Sequence, residues 1–134
     1  MHNLNFKFST ALILLIILVV SQSAESDEGV NREINHLLQY IENAGCAFIR
    51  NHKAYDGAQA RAHIQKKYDY FKARIKTTED FIKYAATKSS MSDKPYMVRC
   101  NGLEILCAEW LTVELEKFRK TGEKHRNSEM ENLR

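Results

Sequence analysis

The sequence has no hydrophobic run long enough to cross a bilayer. Its one extended apolar stretch, Phe8–Val20 (FSTALILLIILVV), falls short of the roughly 20 residues a membrane-spanning helix needs. Charge of one sign is lacking too. There are 20 basic and 17 acidic residues, a formal net charge of +3, which gives no electrostatic footprint for nucleic acid or an anionic bilayer. There is no Cys-x-x-Cys, no Gly-x-Ser-x-Gly and no Ser-x-x-Lys. These absences argue against a thiol-redox pair, a nucleophile elbow and a serine–lysine acylase. No internal repeat is present, so a solenoid is excluded. Cysteines number three, an odd count that permits at most one intrachain bridge and leaves one thiol over.

What is present begins with a leader. Met1–Lys7 is polar with a single charge, Phe8–Val20 is apolar, and small or polar residues follow through Ala24 before the acids Glu25, Asp27 and Glu28. That order is the signature of a secretory signal peptide. Ser21 and Ser23 favour cleavage after Ser23, giving a signal at residues 1–23 and leaving no transmembrane anchor. No cysteine follows the apolar run before Cys46, which argues against a lipid-anchored lipoprotein. Residues 24–118 then suffice for one small globular domain. Residues 119–134 carry charge without periodicity and read as a flexible tail. A domain this small in an oxidising compartment commonly depends on a disulfide.

Within the domain, Val30, Ile34, Leu37, Leu38 and Ile41 recur at helical spacing, and Gly45 stops the helix. Cys46–Arg50 is a strand candidate ending in a turn at Asn51-His52-Lys53. Asp56 caps a second helix to about Ile75, with Ala60, Ile64, Tyr68, Phe71 and Ile75 on its apolar face. Thr77 and Asp80 open a third, shorter helix as a capping pair, and Lys88–Pro95 is a polar loop. Asn101-Gly102 between two alternating runs is the strongest short-range hairpin signal. Its two-residue turn pairs Cys100 with Leu103, Arg99 with Glu104, Val98 with Ile105 and Met97 with Leu106. A last helix runs from about Ala108 to Phe118. The fold class is therefore α+β: a mainly helical domain of about four helices with a β-hairpin or small antiparallel sheet, stapled once.

The hairpin register constrains the staple. Cys100 and Cys107 lie four residues apart on the same face of one hairpin, roughly 13–14 Å at strand rise, beyond the ~7 Å a disulfide spans. Cys46 must bridge to one of them. Cys100 is favoured because it ends the strand that follows Pro95, and Cys107 is then a buried spare thiol whose replacement by serine is expected to cost little.

Candidate chemistry is sparse. His63, Lys67, Tyr70 and Arg74 form a polar stripe on the second helix. Such a cationic face with a histidine and a phenol suits a carboxylate, phosphate or sugar, although a solvated helix face has the same pattern. His36, His52, His63 and Cys107 lack metal-ligand spacing, so neither a metal nor a cofactor is implied. Ser89, Ser90 and Ser92 read as loop residues, and Glu79 and Asp80 as helix-start acids.

Several segments taken together carry a family resemblance. They are Gly45-Cys46-x-Phe48-x-Arg50-Asn51, His63-x3-Lys67-Tyr68-x-Tyr70, Glu79-Asp80-Phe81-Ile82, Ser89-Ser90-x-Ser92, Lys94-Pro95-Tyr96-x-Val98-x-Cys100 and Ala108-Glu109-Trp110-Leu111. Over about residues 30–118 the chain resembles the YfeK-like family of small bacterial exported proteins. The resemblance implies a periplasmic protein of a Gram-negative bacterium, with Cys46 and Cys100 matching the family's cysteine pair. It also puts Arg50, Asn51, His63, Lys67, Ser89, Ser90, Ser92 and Tyr96 on motif positions. These are the candidate ligand-binding residues. The expected function is a non-enzymatic periplasmic module binding an envelope ligand or protein partner. The alternative is a small cell-envelope hydrolase or transferase with His63 as base. Anion affinity would weaken as pH rises through the histidine range near 6–7.

Overall fold

The computed structural model describes residues 27–134; the leader inferred at residues 1–23 lies outside them. The described residues begin with helix α1, residues 27–43. Its periodic residues Ile34, Leu37, Leu38 and Ile41 are all buried, as a stripe spaced by three and four requires. Gly45 then adopts φ +65°, a left-handed conformation that costs glycine little.

Strand β1, Ala47–Arg50, turns through Asn51 and His52, both at positive φ, into a short strand β2, Lys53–Tyr55. Phe48 pairs with Tyr55 and Arg50 with Lys53, so the turn foreseen at Asn51-His52 is a two-residue hairpin loop. Three residues without alternation gave no signal for β2. Helix α2, Gly57–Phe71, starts at the Asp56–Gln59 capping box. It tightens into a 3₁₀ turn at Lys72–Arg74, one turn before Ile75, which is nonetheless buried. The Thr77–Asp80 box opens helix α3, Thr78–Phe81. This short helix runs into a π-helical turn at Ile82–Ala86, where Thr87 Oγ1 donates to the Ile82 carbonyl over 2.8 Å.

Strands β3, Met97–Cys100, and β4, Leu103–Leu106, pair in the register deduced from Asn-Gly, and both turn residues have positive φ. Arg99 Nη2 and Glu104 Oε2 meet across the pair at 2.7 Å. The four strands form one antiparallel sheet in the order β2-β1-β3-β4. Phe48, Tyr96 and Val98 on one face join the helical core. Burial does not extend along that whole face. On the edge strand β4, Leu103 and Ile105 are exposed, because an edge strand lies at the margin of what the helices cover.

The β1–β3 register runs Ala47↔Arg99, Phe48↔Val98, Ile49↔Met97. Continued one step at one end, it sets Cys46 opposite Cys100, and these form the disulfide with Cα atoms 4.8 Å apart. That distance suits a directly opposed, non-hydrogen-bonded antiparallel pair. Cys107 is the free thiol, buried in the core.

Helix α4, Cys107–Asn132, corrects the expected end of the last helix at Phe118. Arg119, assigned to the tail by its sequence, donates to both Glu33 carboxylate oxygens at 2.8 Å and to Glu79 Oε1 at 2.6 Å. It thereby ties α1, α3 and α4 together. Beyond it the residues are exposed and rich in helix-forming Lys, Glu and Arg, with no proline. A helix with no apolar face leaves no periodicity to read.

Candidate functional site

Continued one step past Ile49↔Met97 at its other end, the same β1–β3 register sets Arg50 opposite Tyr96. Helix α2 crosses beside them, and His63 and Lys67, one turn apart, both face this corner. Arg50 Nη1 lies 2.7 Å from His63 Nδ1 and 3.0 Å from Nε2, and His63 Nε2 lies 2.9 Å from the Tyr96 hydroxyl. A guanidinium only donates, so His63 Nδ1 accepts from it and the Nε2–H donates to Tyr96. Lys67 Nζ donates to the Lys88 carbonyl at 2.5 Å and to the Tyr96 hydroxyl at 3.4 Å. The Tyr96 oxygen thus accepts twice. Its own O–H has no acceptor among the described residues and is free to donate outward. Arg50 also lies over the Tyr55 ring, 5.3 Å from its centroid, and its buried Nε has no hydrogen-bond partner among the described residues.

The electrostatics follow from that crowding. Burial, then the Arg50, Lys67 and Lys66 charges, pull the His63 pKa down to about 4. This corrects the expectation of a histidine titrating near 6–7: His63 is neutral at physiological pH. Burial, then Arg50 and Lys88, also lower Lys67. Burial raises Tyr96, which keeps its phenol protonated and a donor.

The remaining candidates form the surroundings. Ser89 and Ser90 line the groove over this corner, as do Asn51, Tyr70 and Arg74. Ser89 is buried; its N–H donates to the Lys94 carbonyl and its own carbonyl accepts from Asp93. Ser92 Oγ donates to Asn51 Oδ1 at 2.5 Å, and Lys94 Nζ to His52 Nε2 at 2.8 Å, which pins the Lys88–Pro95 loop to the β1–β2 turn. Ser92 therefore orders the wall without lining it. Sequence reasoning missed Tyr55 and Lys66, since neither lies on the polar stripe or a quoted motif, and it missed the Lys88 carbonyl, which no side-chain pattern announces. The histidines disperse: His36 Nε2 pairs with Glu114 at 2.8 Å and its ring stacks on Phe118. Among the described residues no group of three or more His, Cys, Asp or Glu is placed to hold a metal ion. Glu79 pairs with Arg119 and Asp80 caps α3.

Fold and site together define a small disulfide-stapled α+β domain with a cationic corner between a strand pair and one helix. The chain belongs to a family of unknown function, DUF5329, whose model matches residues 28–119. It is 32% identical over 86 residues to an uncharacterised protein, YfeK, of Salmonella typhimurium strain LT2, covering 64% of this chain and 69% of that protein. The resemblance noted from the motifs thus holds over the stapled domain. No solved structure matches the chain.

Proposed function

We propose that this is an exported, non-enzymatic binding module whose ligand presents an anionic group to Arg50, Lys67 and Tyr96. One observation carries the reading. The site's walls include Arg50, Lys66, Lys67 and Arg74 without a single carboxylate, and none of the four forms an ion pair among the described residues. Proteins do not assemble unpaired cations around a half-buried corner for stability. A complementary anion would take the free Tyr96 O–H and the spare Lys67 proton, beside the Arg50 guanidinium charge. Binding is preferred over catalysis because a histidine with a pKa near 4 is a weak base at neutral pH. Its hydrogen-bond partner, moreover, is a phenol raised above its ordinary pKa and not an activated nucleophile.

The test is a titration of the oxidised protein with methanesulfonate at constant ionic strength, followed by amide NMR shifts. Shifts at Arg50, His63, Lys67 and Tyr96 are expected. Lys67→Gln keeps a donor for the Lys88 carbonyl and should weaken binding about tenfold or more, since a charged hydrogen bond is worth about 1.5–3 kcal/mol. An anion offsets the cations that depress His63, so its pKa is higher in the complex than about 4. Affinity should therefore be flat from pH 8 to 7 and rise as pH falls from about 6.5 toward 4. Unchanged affinity in a folded Lys67→Gln variant would refute the site. Export is tested separately: intact mass of protein from the periplasm should show a chain beginning at Ala24 or Glu25, and full-length protein in the membrane fraction would contradict it.

A further inference from the structure

Beside the cationic groove lies a second cavity of about 290 Å³, and Arg50, His63, Lys66 and Tyr96 line both. Past those four the walls change character, becoming mainly Phe48, Ile49, Tyr55, Ala60 and Ile64, with Ala62 and the polar Gln59. Cys107 completes them; burial pushes its thiol up to about 12, so it is neutral and behaves as apolar surface. Neither cavity has an acidic lining residue. The Arg50 guanidinium thus lies at the boundary, against His63 on one side and over the Tyr55 ring on the other. A group bound to it has cationic donors one way and carbon the other.

We infer that the ligand is an amphipathic anion, with its charge at Arg50, Lys66 and Lys67 and an apolar group of one or two rings in the Phe48–Tyr55–Ile64 cavity. This rests on the anion-binding reading above and adds the second half of the ligand. The size follows from volume: a cavity of about 150 Å³ lined by aliphatic and aromatic residues accepts benzene, and this one is roughly twice that. Apolar pockets with a few convergent polar groups are the ordinary form of small-molecule sites. Here the charged lining groups are all cationic, which selects the sign of the ligand's charge.

Calorimetric titration with three probes separates the two halves: naphthalene-2-sulfonate, methanesulfonate and 2-naphthol. The aromatic sulfonate should bind at least about tenfold tighter than either other probe, because it buries rings and satisfies the donors at once. Ala62, exposed on α2 at the rim of the apolar cavity, supplies the variant. Ala62→Phe should remove the aromatic advantage and leave methanesulfonate affinity unchanged. The inference is overturned if the two sulfonates bind equally, if 2-naphthol matches the aromatic sulfonate, or if Ala62→Phe leaves the advantage intact. Binding of neither sulfonate would overturn the anion-binding reading itself, and this inference with it.

Discussion

Replacing Cys46 or Cys100 by serine is expected to lower the melting temperature by roughly 15–30 °C. The bridge closes a loop of 54 residues, and removing it returns about 4 kcal/mol of chain entropy to the unfolded state. Each kcal/mol moves a domain this size by about 4–8 °C, and total stability is only about 5–15 kcal/mol. The effect should reach the site. Cys46–Cys100 and Arg50–Tyr96 stand at opposite ends of one strand pair, so fraying of β1 from β3 moves Arg50 away from the Tyr96 hydroxyl and His63. Cys107→Ala is the control. Serine, expected from the sequence to be benign there, would put a hydroxyl in the core and cost about 1–3 kcal/mol if unpaired, because Cys107 is almost wholly buried. Thermal melts of the three variants check this; a loss below a few degrees in both bridge variants would mean the staple is dispensable.

Gly57→Ala should destabilise the protein by several kcal/mol, against the sign that helix propensity predicts. Gly57 is the first residue of α2, and a Cβ there would stand 2.5 Å from the Glu42 carbonyl oxygen and 2.6 Å from that of Ile41. Both obstacles are backbone at the end of α1 and cannot swing aside as a side chain would. Alanine gains about 1 kcal/mol over glycine inside a helix, but overpacking costs about 1–3 kcal/mol and more where backbone must move. Relieving the clash pushes the start of α2 off α1 and displaces His63 and Lys67, so methanesulfonate binding should weaken together with stability. Gly122→Ala gives the opposite sign. That position on α4 has nothing within 4 Å of an added Cβ, so the melting temperature should hold or rise slightly. Were Gly57→Ala to melt at or above the unsubstituted protein, the close approach of α1 and α2 would be refuted.

Local chemistry accounts for what was legible in the sequence. Asn101-Gly102 determines the β3–β4 register, since a two-residue turn at positive φ admits one alignment. Asp56 and Thr77 mark helix starts through bonds made within four residues, and Ile34 to Ile41 declare a buried face by spacing alone. The hairpin also excluded a Cys100–Cys107 bridge before any tertiary information. β2 was illegible because Lys53-Ala54-Tyr55 is a strand only through its pairing with β1. The outer half of α4 was illegible because its exposed residues carry no periodicity and its anchor, Arg119, finds partners 40 and 86 residues away.

The site divides along the same line. Sequence alone placed His63 and Lys67 on one helix face, because a separation of four residues is one turn wherever the helix packs. Only the tertiary structure decided that Arg50 and Tyr96 stand opposite each other, that the Lys88 carbonyl holds Lys67, and that Tyr55 and Lys66 belong to the walls. It alone decided the protonation of His63 as well. A pKa depends on burial and on charges close in space: burial of the imidazole, and then the Arg50 guanidinium brought in from β1, act with the helix neighbours Lys67 and Lys66 to keep it neutral.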